Sequence, residues 1–518
     1  MNIRIGLLGV SAGWEELLRQ EGVPYARIEA EEIAPEEFSA VIACRALTVP
    51  EREAVRSFLR SGGALCGYVG YLAGVVESAG REFTLHYLWG ERHDRLRGIS
   101  LLDVESLALL PREANCLRTD DNHFGVFAGE CEGGISVITP FDPGMVMEDF
   151  RSVERYFPAE PERLPSERVS RVSRGQLLHF VHSALEFLHH QRGLFYVRLD
   201  SVPAGVENVF AFRVDTDGGT RSEIDELYRI ARGFRKGFSW FLDVGSHRDW
   251  LDRFAAMEGQ EIGVHCFEHR VFLDLKKDLE NIRRAKSAMA GAGLTANAFA
   301  APFGFWSPDL GRIIDGEGFS YSSEFGLAYD TMPFVPVIGN VRFGTLQVPV
   351  HPVSVGNLRR IGYSATQMTA YYTRVMERKM RYREPLFFYH HPGHHAWEVV
   401  ERICTMASLP TVRSLTLGEY AAWWKRRSGC NPHALVIGDT IETRLETTHP
   451  PVPDLAFRVS RAGGEVAAIA PGIPAVEKEL KWIKASAPGI PADVRRIREF
   501  DLRGEIGRQF TRIQRRFA

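Results

Sequence analysis

Between residues 205 and 428, apolar runs of strand length alternate with amphipathic stretches of helix length, and this alternation constrains the fold more than any other feature of the chain. VFAFRVD (209–215) leads into SEIDELYRIARGF, whose Ile224, Leu227, Tyr228, Ala231 and Phe234 share one helical face. Thr220 followed three residues later by Glu223 fits a capping box, so the helix is expected to start just after Asp217. Strand FSWFLDV, helix DWLDRFAAM, strand EIGVHCF, helix LDLKKDLENIRRAKSAMAGAG, strand NAFAAPF, helix SPDLGRIIDGEG and strand FSYSSEF follow. No hairpin signal interrupts them, and repeated β/α units of this kind close into a barrel with helices outside. Polar residues at the strand C-termini then converge on one face.

A chain of 518 residues is too long for one core, and further domains are expected on either side. The first hundred residues alternate again (IRIGLLGV, AGWEELLRQEG, SAVIACRAL, VPEREAVRSFLRSGG, ALCGYVGYLAGV), which predicts a parallel βαβα segment. Residues 100–190 are mixed, with strand-like GVFAGE and ISVITPF, a Pro/Glu/Arg-rich connection RYFPAEPERLPSERVSR and a helical QLLHFVHSALEFLHHQRG. The expected units are 1–195, 205–428 and 431–518, the last a small β-rich appendage (HALVIGDTIETRLETT, LAFRVSRAGGEVAAIAP) with a basic tail. In the tail, Arg503, Arg508, Arg512, Arg515 and Arg516 interleave with Ile506, Phe510, Ile513 and Phe517. That pattern fits either an ordinary surface helix or a peripheral contact with an anionic membrane.

A formal charge of −3 argues against a nucleic-acid partner, because phosphate neutralisation needs a basic surface. Seven scattered cysteines without a CxxC pair indicate reduced thiols; acidic residues follow the N-terminal apolar stretch where a signal peptide would have its cleavage region, and no segment is long and apolar enough for a membrane span. A cytoplasmic protein is expected.

Three strand ends carry candidate chemistry: Asp215 and Asp217; His265 and His269 in GVHCFEH; and His390, His391, His394 and His395 in LFFYHHPGHH. Singly, each has an ordinary explanation as a helix cap, a satisfied core histidine or a solvated loop. Together, HxxxH brings two imidazoles to one point and a carboxylate from a neighbouring strand completes a three-ligand set with open positions. Such a set suits a catalytic divalent metal, Zn2+ in the first place, and leaves the other carboxylate free as a base.

These motifs resemble those of the NodB-type polysaccharide deacetylases, carbohydrate esterase family four. RVDTDGGTR with GVHCFEH looks most like the branch containing the deformylase of aminoarabinose lipid modification. The N-terminal segment resembles the flavodoxin-like, class I glutamine amidotransferase-like layout. Cys66 in ALCGY lacks the flanking glycines of a nucleophile elbow, so it reads as a buried small residue and its domain as a binding or scaffold module.

The resemblance implies an irregular (β/α) barrel of the deacetylase type over 205–428. It makes Asp215 the general base and Asp217, His265 and His269 the metal ligands. In AAPFG it implies that Pro302, Phe303 and Gly304 form the turn whose Phe303 N–H meets the oxyanion. Ala300 stands where the family has a base-orienting arginine, and Arg213 is a candidate replacement. The terminal-strand acid is His391, before Pro392, with His390 as the alternative; His394 and His395 are read as loop residues. The implied reaction is deacetylation or deformylation of an N-acylated amino sugar in a glycan or lipid-linked glycan. The alternatives are an inactive sugar-binding or assembly module and a hydrolase of another small amide.

Overall fold

The computed structural model describes residues 1–91, 95–157, 166–272, 274–447, 454–485 and residue 506. Apart from Ile506, the basic tail and its two readings lie outside the described residues.

The central sheet has the strand order Leu346–Gln347, Tyr321–Ser322, Ala298–Phe299, Glu261–Cys266, Phe238–Asp243, Asn208–Asp215, Leu386–His390, and every neighbouring pair is parallel. Val412–Ser414 also pairs in parallel with the first residues of Asn208–Asp215. The sheet curls into a half-barrel, and the backbone N–H of His351 donates to the Phe387 carbonyl at 2.8 Å beside the gap between its two end strands. All eight residues of Asn208–Asp215 are buried, as expected of a strand covered on both faces. The Arg221–Gly233 helix starts with the expected box: Thr220 N–H donates to Glu223 Oε2 at 2.8 Å, and Thr220 Oγ1 accepts from the Glu223 N–H.

One expectation for this region is corrected. Val337–Ile338 and Val341–Arg342 form an antiparallel hairpin, turned by Gly339 and Asn340, both at positive φ (57° and 62°). Two consecutive left-handed residues are what a tight two-residue hairpin turn requires, and Gly-Asn supplies them. The hairpin ties the half-barrel to the N-terminal part of the chain: the Ala12 N–H donates to Asn340 Oδ1 at 3.2 Å, and Arg342 pairs with Glu16.

The N-terminal part builds a nine-stranded sheet. Tyr25–Ile28, Ile5–Leu8, Ala40–Ala43, Ala64–Tyr68 and Gly134–Thr139 form its parallel block. Phe124–Cys131, Cys116–Thr119, Ser78–Trp89 and Leu101–Pro111 continue it antiparallel. Cys66 is buried in the Ala64–Tyr68 strand, where burial pushes its thiol up to about 12. A thiol so held is a poor nucleophile at neutral pH.

The C-terminal residues form two small sheets. Cys430–Ile437 and Thr440–Thr447 make a hairpin joined by Ala475–Val476. Tyr196–Leu199 pairs with Phe457–Arg461, which pairs in turn with Glu465–Ile469 and that with Ile483–Lys484, so a strand from the expected 195–205 link completes the appendage. Buried Arg427 sits at this junction and donates to the carbonyls of Asp200, Arg19, Gln20 and Leu199. Among the described residues no helix is long and apolar enough to cross a membrane.

Candidate metal centre

The site lies at the C-terminal edge of the half-barrel, where side chains from different strands meet. Side chains two apart on a strand share a face, so the Asn208–Asp215 strand aims Arg213 and Asp215 the same way. Arg213 Nε and Nη2 each donate to an Asp215 carboxylate oxygen at 2.6 Å, and both residues are buried. Arg213 Nη1 donates onward to the carbonyl and hydroxyl of Ser323. The guanidinium lies over the Phe241 and Tyr389 rings, 5.3 and 5.6 Å from their centroids. Burial alone would raise the Asp215 carboxyl, but Arg213, helped by His265, outweighs it and holds the group below its ordinary range.

Past the strand end, Asp217 faces two imidazoles. His265 Nε2 lies 3.6 Å from Asp217 Oδ1, and His269 Nε2 lies 3.6 Å from Asp217 Oδ2. One ligand atom from each of the three residues falls within 4.8 Å of the other two. His265 Nδ1 is 2.6 Å from the Ala300 carbonyl oxygen. A carbonyl only accepts, so Nδ1 carries the proton and Nε2 turns its lone pair to Asp217.

Asp217 Oδ1 and His265 Nε2 are both buried without a hydrogen-bond partner. Two orphaned acceptors facing each other are costly unless a cation lies between them, so the residues present fit a divalent ion. Two nitrogens and a carboxylate oxygen suit the zinc class. Ala300, which lacks the side chain of an arginine, meets His265 through its backbone carbonyl.

The two histidines of YHHP part company. His391 Nε2 lies 3.5 Å from Asp217 Oδ1 and 4.0 Å from Asp215 Oδ2, while its ring meets Tyr389 edge-on. His390, in the Leu386–His390 strand, turns to the other side, where its Nε2 is 2.9 Å from the His395 carbonyl and its ring stands edge-on to Trp397. The other two histidines stay out of the ligand group: His394 sits against the His391 ring, and His395 Nε2 is 3.2 Å from Glu223 Oε1. Pro302, Phe303 and Gly304 form a short turn in which Phe303 and Gly304 have φ of 61° and 60°. Phe303 is 66% exposed beside the centre, with its ring edge-on to His269.

Ser323 and Glu324 escaped the sequence reading, which took FSYSSEF as a strand. Only Tyr321–Ser322 pairs, so both residues lie past a strand end, the position that singled out the other candidates. A carboxylate two residues past a strand-like segment was the available signal.

A parallel half-barrel with an Asp-His-His group at its C-terminal edge is the class of structure this part of the chain defines. No family model and no curated protein matches the sequence. Among solved structures, the chain is similar to a putative polysaccharide deacetylase from Mycobacterium smegmatis, at 16% identity and TM-score 0.37, over 44% of this chain and 93% of that one. It is similar to a probable polysaccharide deacetylase from Pseudomonas aeruginosa PAO1, at 15% identity and TM-score 0.37, over 43% and 92% of the two chains. It is also similar to the Puue allantoinase, at 14% identity and TM-score 0.38, over 43% and 92%.

Proposed function

We propose that this protein is a metal-dependent hydrolase that removes the acetyl or formyl group from an N-acylated amino sugar in a glycan or lipid-linked glycan. The observation that carries this reading is the Asp217/His265/His269 group, with its facing orphaned acceptors, directly beside a buried, arginine-held Asp215. The half-barrel of 205–428 carries the chemistry in this reading, 1–195 is a scaffold or binding module, and 431–518 is an appendage.

Asp217, His265 and His269 would hold the ion. When bound, a divalent metal of the zinc class acidifies water and polarises an acyl carbonyl. Asp215 takes a proton from the attacking water as the new C–O bond forms, and Arg213 fixes the carboxylate so that it points at that proton. The Phe303 N–H donates to the developing oxyanion, while Pro302 and Gly304 shape its turn. Burial pushes His391 down to about 4, so it is neutral at rest and has room for a proton. With its Nε2 4.0 Å from Asp215 Oδ2, a small side-chain movement lets it take the proton from Asp215 and pass it to the amine nitrogen as the C–N bond breaks. One water proton thus ends on the amine, and the other leaves with the acyl group as acetic or formic acid, which ionises to acetate or formate in solvent.

The test is metal analysis of the purified chain followed by acetate and formate release from a panel of acylated amino sugars, with small cyclic amides as a second panel. Release from the sugars with one bound ion supports the proposal. A chain that binds no stoichiometric metal and leaves both panels intact is an inactive sugar-binding or assembly module. Turnover confined to the cyclic amides replaces the sugar with another small amide. A lipid-linked carrier and a cytoplasmic setting extend the same reading; vesicle binding that is lost when residues 501–518 are deleted would support membrane contact through the tail.

A further inference from the structure

We propose that Glu324 is a positioning residue that holds the Ala300–Gly304 loop, and with it the turn carrying Phe303, in register with the arginine of the base. Its Oε1 accepts from the Ala301 N–H at 3.1 Å. The residue before it, Ser323, accepts Arg213 Nη1 at both its carbonyl and its hydroxyl. The residue before Ala301, Ala300, gives its carbonyl to His265 Nδ1. The two-residue segment Ser323–Glu324 therefore links the arginine that grips Asp215 to the loop that orients a metal ligand and forms the 302–304 turn. The Gly326 N–H closes the same brace on the Gly304 carbonyl at 2.8 Å.

Packing alone gives no reason for a carboxyl here. Glu324 is 1% exposed, and although Ser322 and Gln347 lie beside it, Oε2 has no hydrogen-bond partner. An apolar side chain would fill the space without that desolvation cost. Burial pushes the carboxyl up to about 7 against the pull of the Ser322 hydroxyl and of Arg213, the charged group facing it. The site thus retains an expensive acceptor whose bond from the Ala301 N–H holds the 300–304 loop. An arginine at position 300 would bind the base from that loop; with Ala300 there, loop and base are connected through Glu324 and Ser323.

The functional part of this inference rests on the hydrolase reading, so the experiment has one arm that does not. In the metal-free full-length chain, hydrogen exchange read by mass spectrometry should be about tenfold faster over residues 298–305 in Glu324→Ala, with the rest of the chain unchanged. Glu324→Gln, whose amide oxygen can still accept from Ala301, should exchange like the wild type. In the turnover arm, Glu324→Ala should lower kcat about 10–100-fold with KM and metal content unchanged, and Glu324→Gln should restore most of it. Wild-type exchange over 298–305 in Glu324→Ala overturns the proposal, as does a kcat loss that Gln fails to rescue. If the wild type turns over no substrate, the hydrolase reading fails and the exchange arm still decides the role of Glu324.

Discussion

Arg213 grips both carboxylate oxygens of Asp215, at 2.6 Å each, from two positions earlier on the same strand. Because burial raises the carboxyl and Arg213 lowers it, the folded value stands below the ordinary range. The sign follows: the stability of this pair is present above the unfolded carboxylate value and is lost as pH falls through the folded one. In Arg213→Gln, burial acts with less opposition, so the acid limb of kcat/KM against pH should move up towards neutrality. kcat/KM at neutral pH should fall about 100-fold or more. Removing one partner of a buried pair should also cost about 3–5 kcal/mol in denaturant unfolding. An unmoved acid limb would mean that Arg213 does not tune the Asp215 carboxyl in turnover.

Asp217 and His265 present facing orphaned acceptors, so metal content and stability should change together. The wild type should hold one ion per chain by plasma mass spectrometry, and Asp217→Asn should hold none. Chelation should lower the melting temperature of the wild type, since saturation at about 100 times Kd is worth about 2.7 kcal/mol. The same chelation should leave Asp217→Asn unmoved.

His391 and His390 are neighbours with opposite fates. His391→Ala removes the imidazole that faces both carboxylates and should lower kcat by about 10²–10⁴ with little change in KM. His390→Ala removes the group at the His395 carbonyl and should cost about 1–3 kcal/mol of stability. It should leave most of kcat at temperatures where the variant is folded. The reverse pattern would exchange the two roles.

Gly304 has φ of 60°, and a Cβ there would run into the Phe325 ring. Gly304→Ala should therefore displace the 302–304 turn and lower kcat at least about tenfold, a fraction of what one oxyanion donor is worth. Metal content should stay at the wild-type level. Full activity in this variant would mean that the turn contributes no donor.

His189, in the Arg174–Gln191 helix, offers a separate test of pH-dependent stability. Burial pushes it down to about 4, with Nδ1 2.7 Å from the Leu185 carbonyl and Nε2 2.8 Å from Ser39 Oγ. The folded value lies below the unfolded one, so the contribution is present above about pH 6.5 and is lost as pH falls through about 4. The loss is on the order of 3 kcal/mol across that window. His189→Gln should show a smaller drop between pH 6.5 and 4.5 in urea titrations.

Much of the half-barrel was legible because its signals are local. The Thr220–Glu223 box, the apolar face of Arg221–Gly233 and the buried strand ending in Asp215 all depend on neighbours a few residues apart. Ser78–Trp89 and Leu101–Pro111 pair antiparallel across an edge that no local period announces. The Gly339–Asn340 turn joins strands of two residues each, too short for any alternation to show.

The sequence by itself determined which chemistry is present: two carboxylates one residue apart, an HxxxH pair and a histidine before proline, each fixed to a strand end by residue order. Tertiary structure decided how those groups are used. Strand pairing turned His391 rather than His390 towards the carboxylates and brought Ala300 to His265. It also carried Ser323 and Glu324 from more than a hundred residues away to Arg213 and from more than twenty to Ala301. The physical reason is that composition and spacing fix a side chain's chemistry, whereas its partner is set by which strands lie side by side and in what register.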